Sequence, residues 1–279
     1  MKFVFFGTPR FATIIIGRLI EKSIVPVAVV TNPDRPAGRK KILTPPPVKL
    51  ICRKLNPSIP VLQPEKIDDD FLIRLREYDA DFFLVAAYGK ILPKSLINIP
   101  RYGTIGVHPS LLPKLRGATP IQSAILSGLK ETGVTLFLID EKMDHGPIIS
   151  KQQTPIDAFD NSETLSDRLA IISSEMIAEI IPKISYMQTE VQNELEATYV
   201  SKFTADDAYI NPLELENALK GVDNFAETVD RKIRGFTPEP GAWTIKDNKR
   251  VKLLDAKIIE NKLVLKSVQT EGKKPIIIR

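Results

Sequence analysis

The sequence predicts an α/β chain: a mostly parallel sheet flanked by helices, followed by a smaller all-β domain. Three observations predict it. Short apolar runs alternate with segments of helical spacing through the N-terminal half. The texture of the chain changes after about Tyr186. Positive charge gathers at the C-terminal end.

KFVFFG (2–7) is an apolar run ending in glycine, which suits a buried strand. PRFATIIIGRLIEK (9–22) puts Phe11, Ile15 and Leu19 on one helical stripe, and VPVAVVT (25–31) is strand-like again. This order predicts βαβ units and a Rossmann-like parallel sheet. It continues with strands at DADFFLVAAY (79–88), TIGVHPS (104–110) and TGVTLFLID (132–140). A long amphipathic helix is expected over 162–184, with Asn161 or Ser162 as its cap and Pro182 near its end. QTEVQNELEATYVSKFTADDA is polar with weak periodicity and reads as a connecting segment. NPLELENALKGVDNFAETVDRKIRGF reads as helix, with Gly235 as its stop. Beyond Gly241, short strands separated by KDNK, EN and EGKK turns predict a small β-barrel of OB-like type. The expected domains are residues 1–200 and residues 201–279.

Several classes are excluded. The single Cys52 allows no internal disulfide, and Cys52, His108 and His145 lack metal-ligand spacing. GTPRFA follows the first strand without the GxGxxG pattern, and no GxxxxGK[ST] exists, so dinucleotide and P-loop readings are weak. The apolar run in MKFVFFGTP is too short for a signal segment, and no later stretch is long enough to span a bilayer. A soluble, cytoplasmic protein without membrane partners is expected.

The net charge is +5, unevenly spread. Residues 231–279 hold thirteen Lys/Arg against five Asp/Glu, a balance of +8 that leaves −3 for the rest. A polyanion contacted by the C-terminal end and an ordinary lysine-rich surface both fit that pattern.

Two polar clusters follow strands: His108 with Ser110, and DEKMDHGPI (140–148). Ligands of parallel α/β sheets bind at the carboxyl ends of strands, so the clusters are placed to face each other. A carboxylate beside an imidazole can orient it and share protons with it, and the imidazole can stabilise an oxyanion. Satisfied loop residues would look the same at this level. His145, next to Asp144, is expected to point elsewhere. A Ser-His-Asp hydrolase fails, because Ser110 lacks a GxSxG elbow.

GVHPSLLPKLRGATPIQSAI, followed at the right distance by KETGVTLFLIDEKMDHGPII, resembles the folate-dependent formyltransferases, and within them those acting on aminoacyl-tRNA. MKFVFFGTPRFA, TNPDRPAGRKKILTPPPVK, LVAAYGKILP, RKIRGFTPEPGAWT and KRVKLLDA extend the resemblance over nearly the whole chain. It implies transfer of a formyl group from N10 of 10-formyltetrahydrofolate to the α-amine of methionine on initiator tRNA. No metal is implied, and a monomer is expected. The motif match makes His108 the oxyanion stabiliser and Asp144 the carboxylate that orients it and takes an amine proton. Ser110, Leu111, Leu112 and Pro113 fall on the folate-contacting stretch, with Tyr88, Ile91 and Leu92 on the pteridine side. The basic loop, with Arg35, Arg39, Lys40 and Lys41, would enter the acceptor end of the tRNA, where Ile42 or Leu43 could wedge against bases. Lys249, Arg250 and Lys252 of the tail would add phosphate affinity, while Trp243 is expected in the barrel core. The resemblance also leads one to expect a closing segment after KKPIIIR.

One position departs. The resemblance calls for Asn where the chain has Gly106, and losing an oxyanion donor typically costs about 10²–10³ in rate. Three explanations compete: a backbone N–H or water in the vacated space, another side chain such as Gln122 or Thr135, or binding retained without activity. The first is favoured.

Overall fold

The computed structural model describes residues 1–38 and 40–278. Among these, seven strands form one sheet. In chain order they are β1 (Phe3–Gly7), β2 (Ala28–Val30), β3 (Val61–Leu62), β4 (Phe82–Ala86), β5 (Thr104–His108), β6 (Glu131–Leu138) and β7 (Ile148–Pro155), and in space β7-β6-β5-β4-β1-β2-β3. β1 pairs in parallel with β2 and β4, as do β2 with β3 and β4 with β5, whereas β5 and β6 are antiparallel. The chain first builds outward from β1 on one side and then returns on the other. The order therefore reverses between β1 and β4, the kind of point where α/β sheets bind ligands.

FVFFG is buried along its whole length, as a central parallel strand covered on both faces must be. Phe3 stacks on its register partner Phe82, and Phe6, which pairs with Val85, meets Phe83 diagonally; each ring pair is 5.3 Å between centroids. Truncating any one of these rings to alanine should cost about 3–5 kcal/mol. The α1 helix (Arg10–Glu21) buries Phe11, Ile15 and Leu19, the stripe its spacing predicts.

Three further helices, α2 (Pro47–Leu55), α3 (Asp69–Arg76) and α5 (Pro120–Leu126), and strand β7 were not legible in advance; α4 (Lys94–Ile97) is a single turn. α2 and α5 each open with proline, whose fixed φ suits the first helical turn. In α6 (Ser162–Ile180) Asn161 is the cap: its Oδ1 accepts from the N–H groups of Glu163 and Thr164, while Ser162 Oγ donates to Thr237 O. The helix over 211–236 is broken in two, α7 (Pro212–Lys220) and α8 (Phe225–Gly235). Gly221 at φ +76° ends the first in the left-handed conformation that glycine adopts without strain. The second stops at Gly235, as expected.

The C-terminal strands are β8 (Trp243–Lys246), β9 (Lys249–Ile259), β10 (Lys262–Thr270) and β11 (Ile276–Ile277), antiparallel neighbours in that order. Asp247–Asn248 and Glu260–Asn261 all have positive φ, which two-residue hairpins require. The sheet shares a core with α7 and α8, built from Ile210, Ala218, Val229, Ile233, Val251 and Leu263.

By internal packing the chain divides into two compact units. One is Met1–Arg116, Gly133–Gln153 and Asp167–Thr198; the other is Gly117–Thr132, Thr154–Ser166 and Tyr199–Arg279. The second unit thus includes two stretches from the middle of the sequence.

Candidate active site

Strand alternation puts Gly106 and His108 on one face of β5, with Phe137 and Thr135 of β6 directly opposite them. His108 is buried, and both its ring nitrogens face acceptors. Nε2 lies 2.8 Å from Leu115 O, and Nδ1 lies 3.6 Å from Asp144 Oδ2. A carbonyl can only accept, so Nε2 carries a proton; a neutral ring then turns the lone pair of Nδ1 to the carboxylate, and only an imidazolium donates to both. The side chain of Asp144 is 22% exposed against 6% for His108, so the carboxylate is the more accessible member of the pair.

The loop that carries Asp144 is tightly fastened. Asp140 accepts from Lys142 N at 2.9 Å and faces His145 Nδ1 at 2.5 Å. His145 therefore turns away from His108, as expected, and its Nε2 lies 3.5 Å from Glu194. Asp144 has φ +50°, a left-handed conformation that aspartate tolerates better than most residues. At Gly146 a Cβ would run into Leu138 O, so no other residue fits there. Gln192 Nε2 donates to Asp144 O at 2.9 Å and Gly146 O at 2.8 Å. Its Oε1 accepts from Arg116 Nε at 3.1 Å and Nη2 at 2.8 Å. Arg116, fully buried, also forks onto Glu194, and that hydrogen bond holds the Glu194 carboxyl below its ordinary range.

Gly106 is not beside an empty space. A Cβ there would lie 2.5 and 2.6 Å from ring carbons of Phe137 and 3.0 Å from Ile139 Cγ1. Phe137 is itself buried with Leu112 and Ile148. An aromatic ring therefore lies where a Cβ at 106 would go. Thr135 is no substitute, because its hydroxyl already donates to Ser110 O at 2.7 Å and accepts from Leu112 N at 3.0 Å. Gln122 belongs to the other unit.

The remaining predicted positions divide into those open to a ligand and those already committed. Ser110 is buried, and its hydroxyl donates to Lys114 O at 2.6 Å. Leu112 and Pro113 are buried and Leu111 is half-buried. Tyr88 packs in the core against Phe6, and burial pushes its phenol up to about 12. Leu92 packs against the same core, while Ile91 is 94% exposed. The basic loop is a β-hairpin, Arg35–Ala37 against Ile42–Thr44, with every strand residue exposed. Arg35 pairs with Glu65 at 2.5 Å; Lys40 and Lys41 are exposed; Arg39 lies outside the described residues. Ile42 and Leu43 are 62% and 64% exposed, an unusual cost in water for two adjacent aliphatic residues. In the tail, Lys249 is exposed, but Arg250 stacks 4.2 Å over Trp243 and Lys252 donates to Pro240 O at 3.1 Å. Trp243 is half-buried, between that guanidinium and Tyr209, rather than in the core.

Sequence reasoning missed Arg116, Gln192 and Phe137. Arg116 sits in a cationic stretch that reads as surface, and Gln192 in the polar segment taken for a connector.

Residues 1–181 match the family model described as "Formyl transferase", and residues 223–279 match "Formyl transferase, C-terminal domain". The chain belongs to the formyl transferase family. It is 39% identical to a methionyl-tRNA formyltransferase of Staphylococcus aureus, over 99% of this chain and 86% of that relative. A methionyl-tRNA formyltransferase from Clostridium thermocellum shares the fold, with a TM-score of 0.66 at 19% identity over 97% of this chain and 98% of that one. HypX from Aquifex aeolicus, solved in complex with tetrahydrofolic acid, matches with a TM-score of 0.66 at 16% identity, over 100% of this chain and 46% of its own. Among the described residues no helix is long and apolar enough to cross a membrane, and no cluster of His, Cys, Asp and Glu could hold a metal ion.

Proposed function

We propose that the chain moves the formyl group of 10-formyltetrahydrofolate onto the α-amine of methionine esterified to initiator tRNA. The observation that carries this is the pair formed by His108, at the end of β5, and Asp144, in the loop between β6 and β7, in a chain of the formyl transferase family. The amine nitrogen attacks the formyl carbon, the carbonyl oxygen gains negative charge, and the bond to N10 then breaks. Asp144, the accessible member, takes the proton lost by the amine. For His108 to donate to the oxyanion, its Nε2 proton must leave Leu115 O for the substrate oxygen; N10 leaves with a proton relayed from the pair.

The folate side rests on the loops after β4 and β5. Ile91 and Leu111 offer apolar side chains there, whereas Ser110, Leu112, Pro113, Tyr88 and Leu92 offer mainly backbone, since their side chains are committed inward. The hairpin, through Arg35, Lys40, Lys41 and the exposed Ile42 and Leu43, meets the acceptor end of the tRNA, and Lys249 leads the tail's phosphate contacts. Residues 1–200 carry the chemistry and 201–279 the added tRNA affinity. The same reading has the chain acting as a monomer in the cytoplasm, without metal.

One observation favours a second reading, a weakly active or silent folate- and tRNA-binding homologue: Phe137 stands where a donor at 106 would be. Formylation of Met-tRNA with 10-formyltetrahydrofolate decides between them. Turnover by the parent chain excludes the silent homologue. No turnover by the parent, with turnover in Gly106→Asn/Phe137→Ala, establishes it. No turnover with Met-tRNA, but turnover with a different amine acceptor, sinks the tRNA assignment.

A further inference from the structure

We infer that Gln192, clamped on Arg116, is a positioning residue that holds both ends of the His108–Asp144 pair in place; this rests on the reaction proposed above. Hydrogen bonds, the chain itself and the 3.6 Å contact between His108 and Asp144 close a ring. From His108 it runs through Leu115 O to the adjoining Arg116, across the guanidinium to Gln192, through Gln192 to the carbonyl of Asp144, and from the Asp144 carboxylate back to His108. Arg116 is fully buried and Gln192 nearly so. The Leu115–Arg116 corner is fixed in turn, with Leu115 N donating to Thr198 Oγ1 and Arg116 N to Thr198 O, both at 2.8 Å.

The chemistry of the position demands an amide. Guanidinium only donates and carbonyls only accept, so whatever stands between them must accept on one side and donate on the other. Gln192 does both: its oxygen takes two Arg116 N–H groups, and its NH₂ gives one proton each to Asp144 O and Gly146 O. That environment leaves one amide orientation. The two pinned carbonyls are that of Asp144 itself, which sits in the left-handed conformation, and that of Gly146 two residues on, so they fix the backbone from which its carboxylate points. Releasing them lets the carboxylate drift from His108, and a misplacement of about 1 Å can cost roughly 10²-fold in rate.

The test uses the full chain with Gln192→Glu, which keeps the shape and the Arg116 pair but turns an oxygen onto two carbonyl oxygens. We expect kcat to fall about 10²-fold, with KM for Met-tRNA and for 10-formyltetrahydrofolate within about threefold of the parent. With only two histidines in the sequence, the ring NMR signals can be assigned by a His145→Asn variant, and the His108 signal should move in Gln192→Glu. A purely structural role would lower the melting temperature and leave kcat and the His108 signal of the folded fraction unchanged. If Gln192→Glu does not fold, Gln192→Met removes the same hydrogen bonds at similar length without charge. A kcat within threefold of the parent together with an unmoved His108 signal, in whichever variant folds, overturns the inference. The NMR comparison needs no turnover, so it decides even for a slow enzyme. His108→Ala separates the two levels: full turnover there sinks the proposed chemistry, whereas its loss beside an unaffected Gln192 variant sinks only this inference.

Discussion

The Asp140–Gly146 loop and the Arg35–Thr44 hairpin belong to the same unit and both carry charge, yet they are held in opposite ways. The loop is tied down from two sides, by Asp140 within its own turn and by Gln192 on two of its carbonyls. Among the described residues, the hairpin's side-chain ties lie near its base, where Arg35 also pairs with Glu65. There Lys49 Nζ bonds Asp34 at 2.8 and 2.9 Å and Gln63 at 2.7 Å, while the strands above stand exposed, with Ile42 and Leu43 in water. The difference fits what each part would meet in the proposed function. A reacting carbonyl demands placement to within about 0.5 Å. A phosphate backbone is bound through charge over longer range and tolerates a mobile partner.

That contrast can be broken most forcefully at the pair itself. His108→Ala should lower kcat/KM for Met-tRNA by about 10³-fold or more, since oxyanion stabilisation and proton delivery are lost together. Steady-state formylation kinetics measure it, and a loss below tenfold would mean that the tight loop holds something other than a catalytic carboxylate.

The next largest effect concerns the packing around the pair. Gly106→Asn forces a side chain into the Phe137 ring and should destabilise by about 1–3 kcal/mol. Phe137→Ala alone should cost about 3–5 kcal/mol. In the double variant the new side chain partly refills the cavity, so urea unfolding should show a loss at least about 1 kcal/mol smaller than the sum of the two. Additive losses would show that Phe137 does not fill the Gly106 site.

For the hairpin, Lys40→Ala/Lys41→Ala should raise KM for Met-tRNA about tenfold, leave kcat and KM for the folate unchanged, and reduce the salt slope of binding by about 2. Binding titrations at several salt concentrations check this; an unchanged slope removes the hairpin from the tRNA interface.

The smallest effect lies at the hairpin's base. Hydrogen bonds from Gln63 and then Lys49 hold the Asp34 carboxyl below its ordinary value of 3.8. A depressed folded value means that this contribution to stability is present above the unfolded value and is lost as pH falls through the lowered one. Asp34→Asn should therefore lower the urea midpoint at pH 7 and converge on the parent only once the pH falls below the lowered value. Equal gaps at both pH values would show that the carboxylate charge does not anchor the base.

Much of the site and fold could be read from local pattern. The alternation of apolar runs marked the parallel strands, the EN and KDNK turns marked hairpins that do form, and His108 and the 140–148 cluster stood out as polar groups after strands, within which the resemblance picked out Asp144. The hairpin's exposed aliphatics were visible as Ile42–Leu43 in a cationic stretch. Short amphipathic helices such as α3 left too few turns for periodicity to register. Gly221 as a break between α7 and α8 was readable only in hindsight, since glycine inside a helical pattern is often tolerated.

By itself, then, the sequence determined the alternation of strand and helix and the basic character of the hairpin, because each depends on residues close together along the chain, whereas the pairing of His108 with Asp144 came from the resemblance of the motifs that carry them. Only the tertiary structure decided that Arg116 is interior rather than surface, that Gln192 reaches back 48 residues to the carbonyl of Asp144, and that Phe137 occupies the place beside Gly106. Those outcomes depend on which strand lies opposite which and on how buried donors and acceptors find partners. Such matches are made in space, between residues whose separation along the chain carries no trace of the contact.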